Sequence, residues 1–148
     1  MTQRYDVPGT GTRVFNGAFR KLAELGISIA GSTAVRVRGR TSGRVRGVVV
    51  NLLDLDGRRY LVSPRGNTQW ARNARAAGEI ELGPTWRSRR CRIVELADEA
   101  KPEILRPYIG RWYWQIKGHV GGLTPESSPE QMSAVAPSIP VFELVGQV

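Results

Sequence analysis

Residues 38–73 read RGRTSGRVRGVVVNLLDLDGRRYLVSPRGNTQWARN, and the expectations for the rest of the fold are built outward from them. Asp56-Gly57 lies between two apolar runs and is a strong hairpin signal, because a type I′ turn needs positive φ at both central residues. The run before it, residues 46–53, carries Val48, Val49 and Val50 without alternation, which predicts a strand covered on both faces. The run after it, residues 59–63, predicts the partner strand. Upstream, the basic turn Arg40-Thr41-Ser42-Gly43-Arg44 separates this hairpin from a strand over 33–38, where Val35 and Val37 alternate with Arg36 and Arg38. Downstream, Pro64-Arg65-Gly66-Asn67 breaks the chain, and Asn67 or Thr68 can cap a helix over 69–77 that Gly78 ends. Two short loops carrying arginines, hydroxyls and main-chain N–H groups therefore flank one hairpin. Such corners are expected to hold a large, flat, anionic ligand against the sheet between them.

Further along, residues 79–82 and 87–96 predict a second hairpin around Gly83-Pro84. Cys91 and Ile93 face one side of its second strand, Arg90 and Arg92 the other. The apolar face then shifts to Val94 and Leu96, which predicts a bulge or sharp bend. Residues 98–116 read as a helix with a kink or break at Pro107, ending in the aromatic run Trp112-Tyr113-Trp114. A Gly/Ser/Pro loop covers 118–129, one short helical turn 130–136, and a last strand 141–145. At the other end, residues 1–12 read as a loose arm. A helix over 13–26 follows, with Phe15, Ala18, Phe19, Leu22 and Leu25 on one face. Arg13, Arg20 and Lys21 beside that stripe leave two uses for it, covering a barrel end or touching a membrane surface. Hairpins with few helices predict a small closed sheet, because closure removes exposed edges. The expected architecture is one mainly β domain with flanking helices over 1–148, its barrel spanning 33–148 with helical insertions.

Composition narrows the class. The hydrophobic fraction of 41% argues against disorder, and no apolar run is long enough to span a bilayer. The N-terminal stretch lacks an apolar signal region, and a lone Cys91 suits a reducing compartment, so a cytoplasmic location is expected. The net charge of +9 comes from 22 Lys+Arg against 13 Asp+Glu. Arginine makes up nearly all of the excess, which favours bidentate recognition of phosphate or carboxylate. Nucleic acid is the less favoured partner, since the aromatics do not interleave with the arginines as stacking platforms would.

The chemistry-bearing residues form no acid–base pattern. The turn at 40–44 is not a Walker A loop, because the Gly-Lys-Ser/Thr ending and the following helix are both missing. Thr41, Ser42 and the Gly43 main chain can still donate to an anion, with Arg40, Arg44 and Arg46 supplying charge. The loop at 63–68 opens a helix, whose N-terminus favours anions. On that helix Trp70 shares a face with Ala74 and Ala77, which makes it core or ligand stacker, while Arg72 and Asn73 face differently and could reach the site. His119 is the single histidine, so neither a triad nor a metal site is expected. Trp112, Tyr113 and Trp114 are consecutive and cannot share one helical face, so at least one should be exposed or line a pocket.

The order Gly39-Arg40-Thr41-Ser42-Gly43, Arg46, Val48-Val49-Val50-Asn51 and Asp56-Gly57 resembles the deazaflavin-dependent nitroreductase family. Val62-Ser63-Pro64-Arg65-Gly66 and Gln69-Trp70-Ala71-Arg72-Asn73 continue the resemblance. It implies a split β-barrel of the FMN-binding-like type that uses coenzyme F420. By this resemblance the cofactor's polyanionic tail follows Arg40, Thr41, Ser42, Gly43, Arg44 and Arg46. Its ring lies near Val48, Val49, Val50, Asn51, Val62, Ser63, Pro64 and Arg65, and Gln69, Trp70, Arg72 and Asn73 close the phosphate end. The implied reaction moves a hydride from the reduced deazaflavin to an activated alkene, quinone or nitro compound, the protein chiefly orienting the two partners. Ser63 or Tyr113 could protonate the product, and Trp112, Tyr113 and Trp114 fall where the family builds its substrate pocket. Two departures stand out: the loop before Trp70 is short and lacks proline, and the family's C-terminal tyrosines have no clean match. An FMN enzyme on the same fold and a non-catalytic cofactor carrier or sensor are the alternatives, as monomer or homodimer.

Overall fold

The computed structural model describes residues 32–83 and 87–147. The expected arm and helix at 1–26 lie outside the described residues, as does the tip of the second hairpin. Six strands close into an antiparallel barrel: β1 (Ser32–Arg38), β2 (Val45–Leu55), β3 (Arg58–Val62), β4 (Glu79–Leu82), β5 (Arg89–Glu95) and β6 (Val141–Gln147). Their order around the wall is β1-β2-β3-β6-β5-β4, with β4 pairing back onto β1. Among the described residues three α-helices flank the barrel: α1 (Gln69–Ala77), α2 (Pro102–Ile116) and α3 (Pro129–Val135).

The central hairpin forms as its turn chemistry demands. Leu55 pairs with Arg58, so Asp56-Gly57 is a two-residue loop, and φ is 52° and 80° at those residues. β2 is covered on both faces because two cores meet across it. Val48, Val50 and Leu52 point into the barrel, with Leu61, Ile80, Cys91 and Phe142. Leu53 points outward, where Tyr60 and Val62 of β3 meet Leu105, Tyr108, Ile109 and Trp112 of α2. On α1, Trp70, Ala71 and Ala74 close the barrel interior from one end.

A bulge is present, but on the partner strand β6 and not on β5, where the sequence pattern placed it. The β5–β6 register shifts between Arg92 and Ile93, where Arg92 faces Gly146 and Ile93 faces Leu144. Val145 is the extra residue. Val94 does not turn inward and stays 52% exposed, whereas Leu96 packs against the helical core.

The expected helix over 98–116 is two pieces, a 3₁₀ turn at Asp98–Ala100 and then α2 with Pro102 in its first turn. The break expected at Pro107 falls instead at Trp112, whose φ/ψ of −119°/16° is non-helical. The missing N–H of Pro107 would have served the carbonyl of Glu103, an exposed residue in the first turn that water can satisfy. Buried Lys101 joins these pieces, its Nζ donating to Asp98 Oδ1 at 2.8 Å and to Ala136 O at 3.0 Å.

Candidate functional site

A cavity of about 800 Å³ lies beside the hairpin, between β2, the loop after β3, the start of α1 and the last turn of α2. Its apolar wall comes from Val48, Val49 and Val50 of β2, Val62 of β3, and Pro64 and Trp70 beyond. Trp70 is both core and wall: its ring packs on Phe142 at 5.9 Å between centroids while it also lines the cavity.

The corner at 39–44 is closed by its own hydrogen bonds. Gly39 N–H donates to Arg44 O at 2.7 Å, and Gly43 N–H donates to Gly39 O at 3.0 Å. Ser42 Oγ accepts from Arg44 N–H at 3.2 Å. A side chain at Gly39 would strike Ser42 Oγ, which explains the glycine there. The Gly43 N–H is thus engaged inside the turn, and the corner offers charge and hydroxyls rather than a Gly43 donor. Arg40 buttons this corner onto α1. Its main-chain N–H and Nη1 donate to Asn73 Oδ1 at 3.1 and 2.7 Å, and Nη1 also reaches Gln69 Oε1 at 3.0 Å. Gln69, Asn73 and Arg46 line the cavity; Arg40, Thr41, Ser42 and Arg44 are exposed beside it.

The second corner is braced from within. Ser63 is 1% exposed, and its hydroxyl donates to Gly66 O at 2.6 Å and lies 2.9 Å from Thr68 Oγ1. Thr68, not Asn67, caps α1 by accepting from Ala71 N–H. Arg72 turns back onto Asn67 O at 2.8 Å and does not line the cavity. Thr68→Ala removes the cap and one partner of a buried hydroxyl together. It is expected to cost about 1–2 kcal/mol, read as a lower urea midpoint at unchanged slope.

Sequence reasoning missed the far wall. Asn51 Nδ2 donates to Gln115 Oε1 at 2.9 Å, and Arg65 Nη1 lies 3.3 Å from His119 Nδ1. Lys117, Ile116 and Tyr108 line the cavity beside them. Burial pushes the Tyr108 phenol well above its ordinary range, with a hydrogen bond to Asn51 pulling the other way, so at neutral pH the ring keeps its proton. The aromatic run divides three ways. Trp114 is 62% exposed and lines the cavity, Tyr113 packs against the helical core, and Trp112 is fully buried against Tyr108. Trp112 is therefore a core residue, and neither it nor Tyr113 lines the cavity. Tyr108 and Gln115, seven apart, share a helix face, and that spacing was the one signal the sequence held for this wall.

Among the described residues no group of three His, Cys, Asp or Glu could hold a metal ion, and no helix is long and apolar enough to cross a membrane.

The closed antiparallel barrel with its flanking helices is a split β-barrel of the FMN-binding-like type. Solved structures share it at low identity, among them the following three. A protein called Atu2129 from Agrobacterium tumefaciens has 17% identity and a TM-score of 0.57, covering 80% of this chain and 49% of its own. This chain thus spans about half the length of that protein. PhzG from Burkholderia lata, solved in complex with tetrahydrophenazine-1-carboxylic acid, has 14% identity and a TM-score of 0.52, covering 95% and 78%. A NimC/NimA family protein from Clostridium acetobutylicum has 12% identity and a TM-score of 0.50, covering 92% and 83%. No family model and no curated protein matches the sequence.

Proposed function

We propose that this chain is an oxidoreductase that binds coenzyme F420 along the cavity and reduces an activated alkene, quinone or nitro compound. The observation that carries the reading is one apolar-walled cavity running from Arg46, next to the first basic corner, to Pro64 and Arg65 of the second, with no Asp or Glu among the described residues lining it. The residues fit the group. Val48, Val50, Pro64 and Trp70 offer a flat apolar bed for a ring, and Arg46, Gln69 and Asn73 can hold phosphate. Arg40 and Arg44 stand beyond them on the exposed corner, with Thr41 and Ser42, where a longer anionic tail would run.

When bound, the reduced deazaflavin would supply the hydride. The chain's own part is to orient, to hold the ring dry and to manage one proton. Val49 and Val62 exclude water from the strand side, and Trp114 forms part of the rim. Because the Ser63 proton is committed to Gly66 O and Tyr113 does not line the cavity, solvent entering past exposed Trp114 and Lys117 is the simplest proton source.

The fold itself favours a second reading, FMN in the same cavity. Two exposed arginines, Arg40 and Arg44, stand beyond the phosphate position and exceed what one phosphate requires, and this weighs for the longer tail. Separate titrations with F420 and FMN decide between them: the deazaflavin is expected to bind the more tightly. Micromolar FMN binding with none of the deazaflavin would overturn the choice. If F420 binds but its reduced form is never oxidised by a panel of quinones and enones, the chain is a carrier.

A further inference from the structure

Besides Arg46, the cavity is lined by a second group of basic residues, Arg65, Lys117 and His119. Arg46 and Asn51 both line it and lie five residues apart on β2, a separation of roughly 17 Å at strand rise. The Asn51 end is tied to the last turn of α2 through Gln115, and His119 follows in the next turn, where Arg65 meets it. Lys117 lies between them in sequence and also lines the cavity.

The polar groups at this end are donors. A guanidinium only donates, so in its contact with Arg65 the His119 Nδ1 accepts. The ring proton then sits on Nε2 as a further donor. Gln115 Oε1 already accepts from Asn51, which leaves the amide NH₂ of Gln115 to donate. Lys117 adds an ammonium. No carboxylate stands among the described residues that line the cavity. Cationic donors gathered at one wall are matched by an acceptor that carries negative charge.

We infer that the substrate is an anionic aromatic or quinonoid molecule, whose carboxylate docks on Lys117 and His119 beside Arg65 while its ring lies against Trp114. This substrate class rests on the redox reading given above; the anion pole itself is defined by the side chains alone. It narrows the substrate from any hydrophobic electrophile to one bearing an acid group.

The test is calorimetric titration of the full chain with 2-naphthoate and with its neutral isostere naphthalene-2-carboxamide, at saturating F420. The carboxylate is expected to bind at least about tenfold tighter, the worth of one retained charge-assisted contact. In the double variant Lys117→Gln, His119→Gln the ratio is expected to fall to within about twofold, with the melting temperature held as the check on folding. Equal affinities in the parent chain overturn the inference, and so does a preference that survives the double variant. A titration with each cofactor alone is read separately. If neither binds, the redox reading falls with its substrate class, yet a carboxylate preference lost in the variant still establishes the pole.

Discussion

Replacing Arg40 and Arg46 together with alanine is expected to weaken F420 binding by about 3 kcal/mol, roughly a hundredfold. Arg46 lines the cavity beside Val48. Arg40 holds the corner to Asn73 and Gln69, so its loss removes a charge and also frees two lining side chains. Both arginines are exposed, so solvent screening places the effect at the low end of 1.5–3 kcal/mol per charged hydrogen bond. The same screening makes affinity fall as salt is raised, and the double variant is expected to flatten that dependence. Fluorescence titration at two ionic strengths reads both effects. Unchanged affinity in the variant would remove the tail from this corner.

Trp112→Ala is expected to destabilise the fold by about 3–5 kcal/mol, because a fully buried indole leaves a cavity its neighbours cannot fill. The ring packs on Tyr108 at 5.0 Å between centroids, and Arg111 lies over it at 4.5 Å. For a chain of 148 residues this corresponds to a fall in melting temperature of roughly 6–20 °C. Trp114→Ala provides the contrast. That side chain is 62% exposed, so stability is expected to hold within about 0.5 kcal/mol while substrate affinity drops. Thermal melts and KM measurements on the two variants separate the roles. If Trp112→Ala lost substrate affinity at full stability, the division of the aromatic run would be wrong.

The small closed sheet was legible because its signals are local. A type I′ turn at Asp56-Gly57, a Thr68 cap with its Gly78 stop and an alternating strand from Ser32 to Arg38 each follow from a few adjacent residues. The two basic corners were legible for the same reason, since each is a short loop whose residue types state its chemistry. Their internal hydrogen bonds were not: whether Gly43 N–H is free or engaged depends on how tightly the turn closes.

By itself, then, the sequence determined the barrel, the hairpin at its centre and the arginine-rich corner, because turn and strand preferences act over neighbouring residues. Only the tertiary structure decided the far wall of the cavity. Asn51 meets Gln115 across 64 residues and Arg65 meets His119 across 54, so those partners are set by where α2 packs on the outer face of β2 and β3. Packing also decided among three adjacent aromatics, burying Trp112, resting Tyr113 on the core and turning Trp114 to the cavity. Adjacent side chains on a helix point about 100° apart, and the break at Trp112 re-aims the turn that follows, so residue type alone cannot say which of them faces the site.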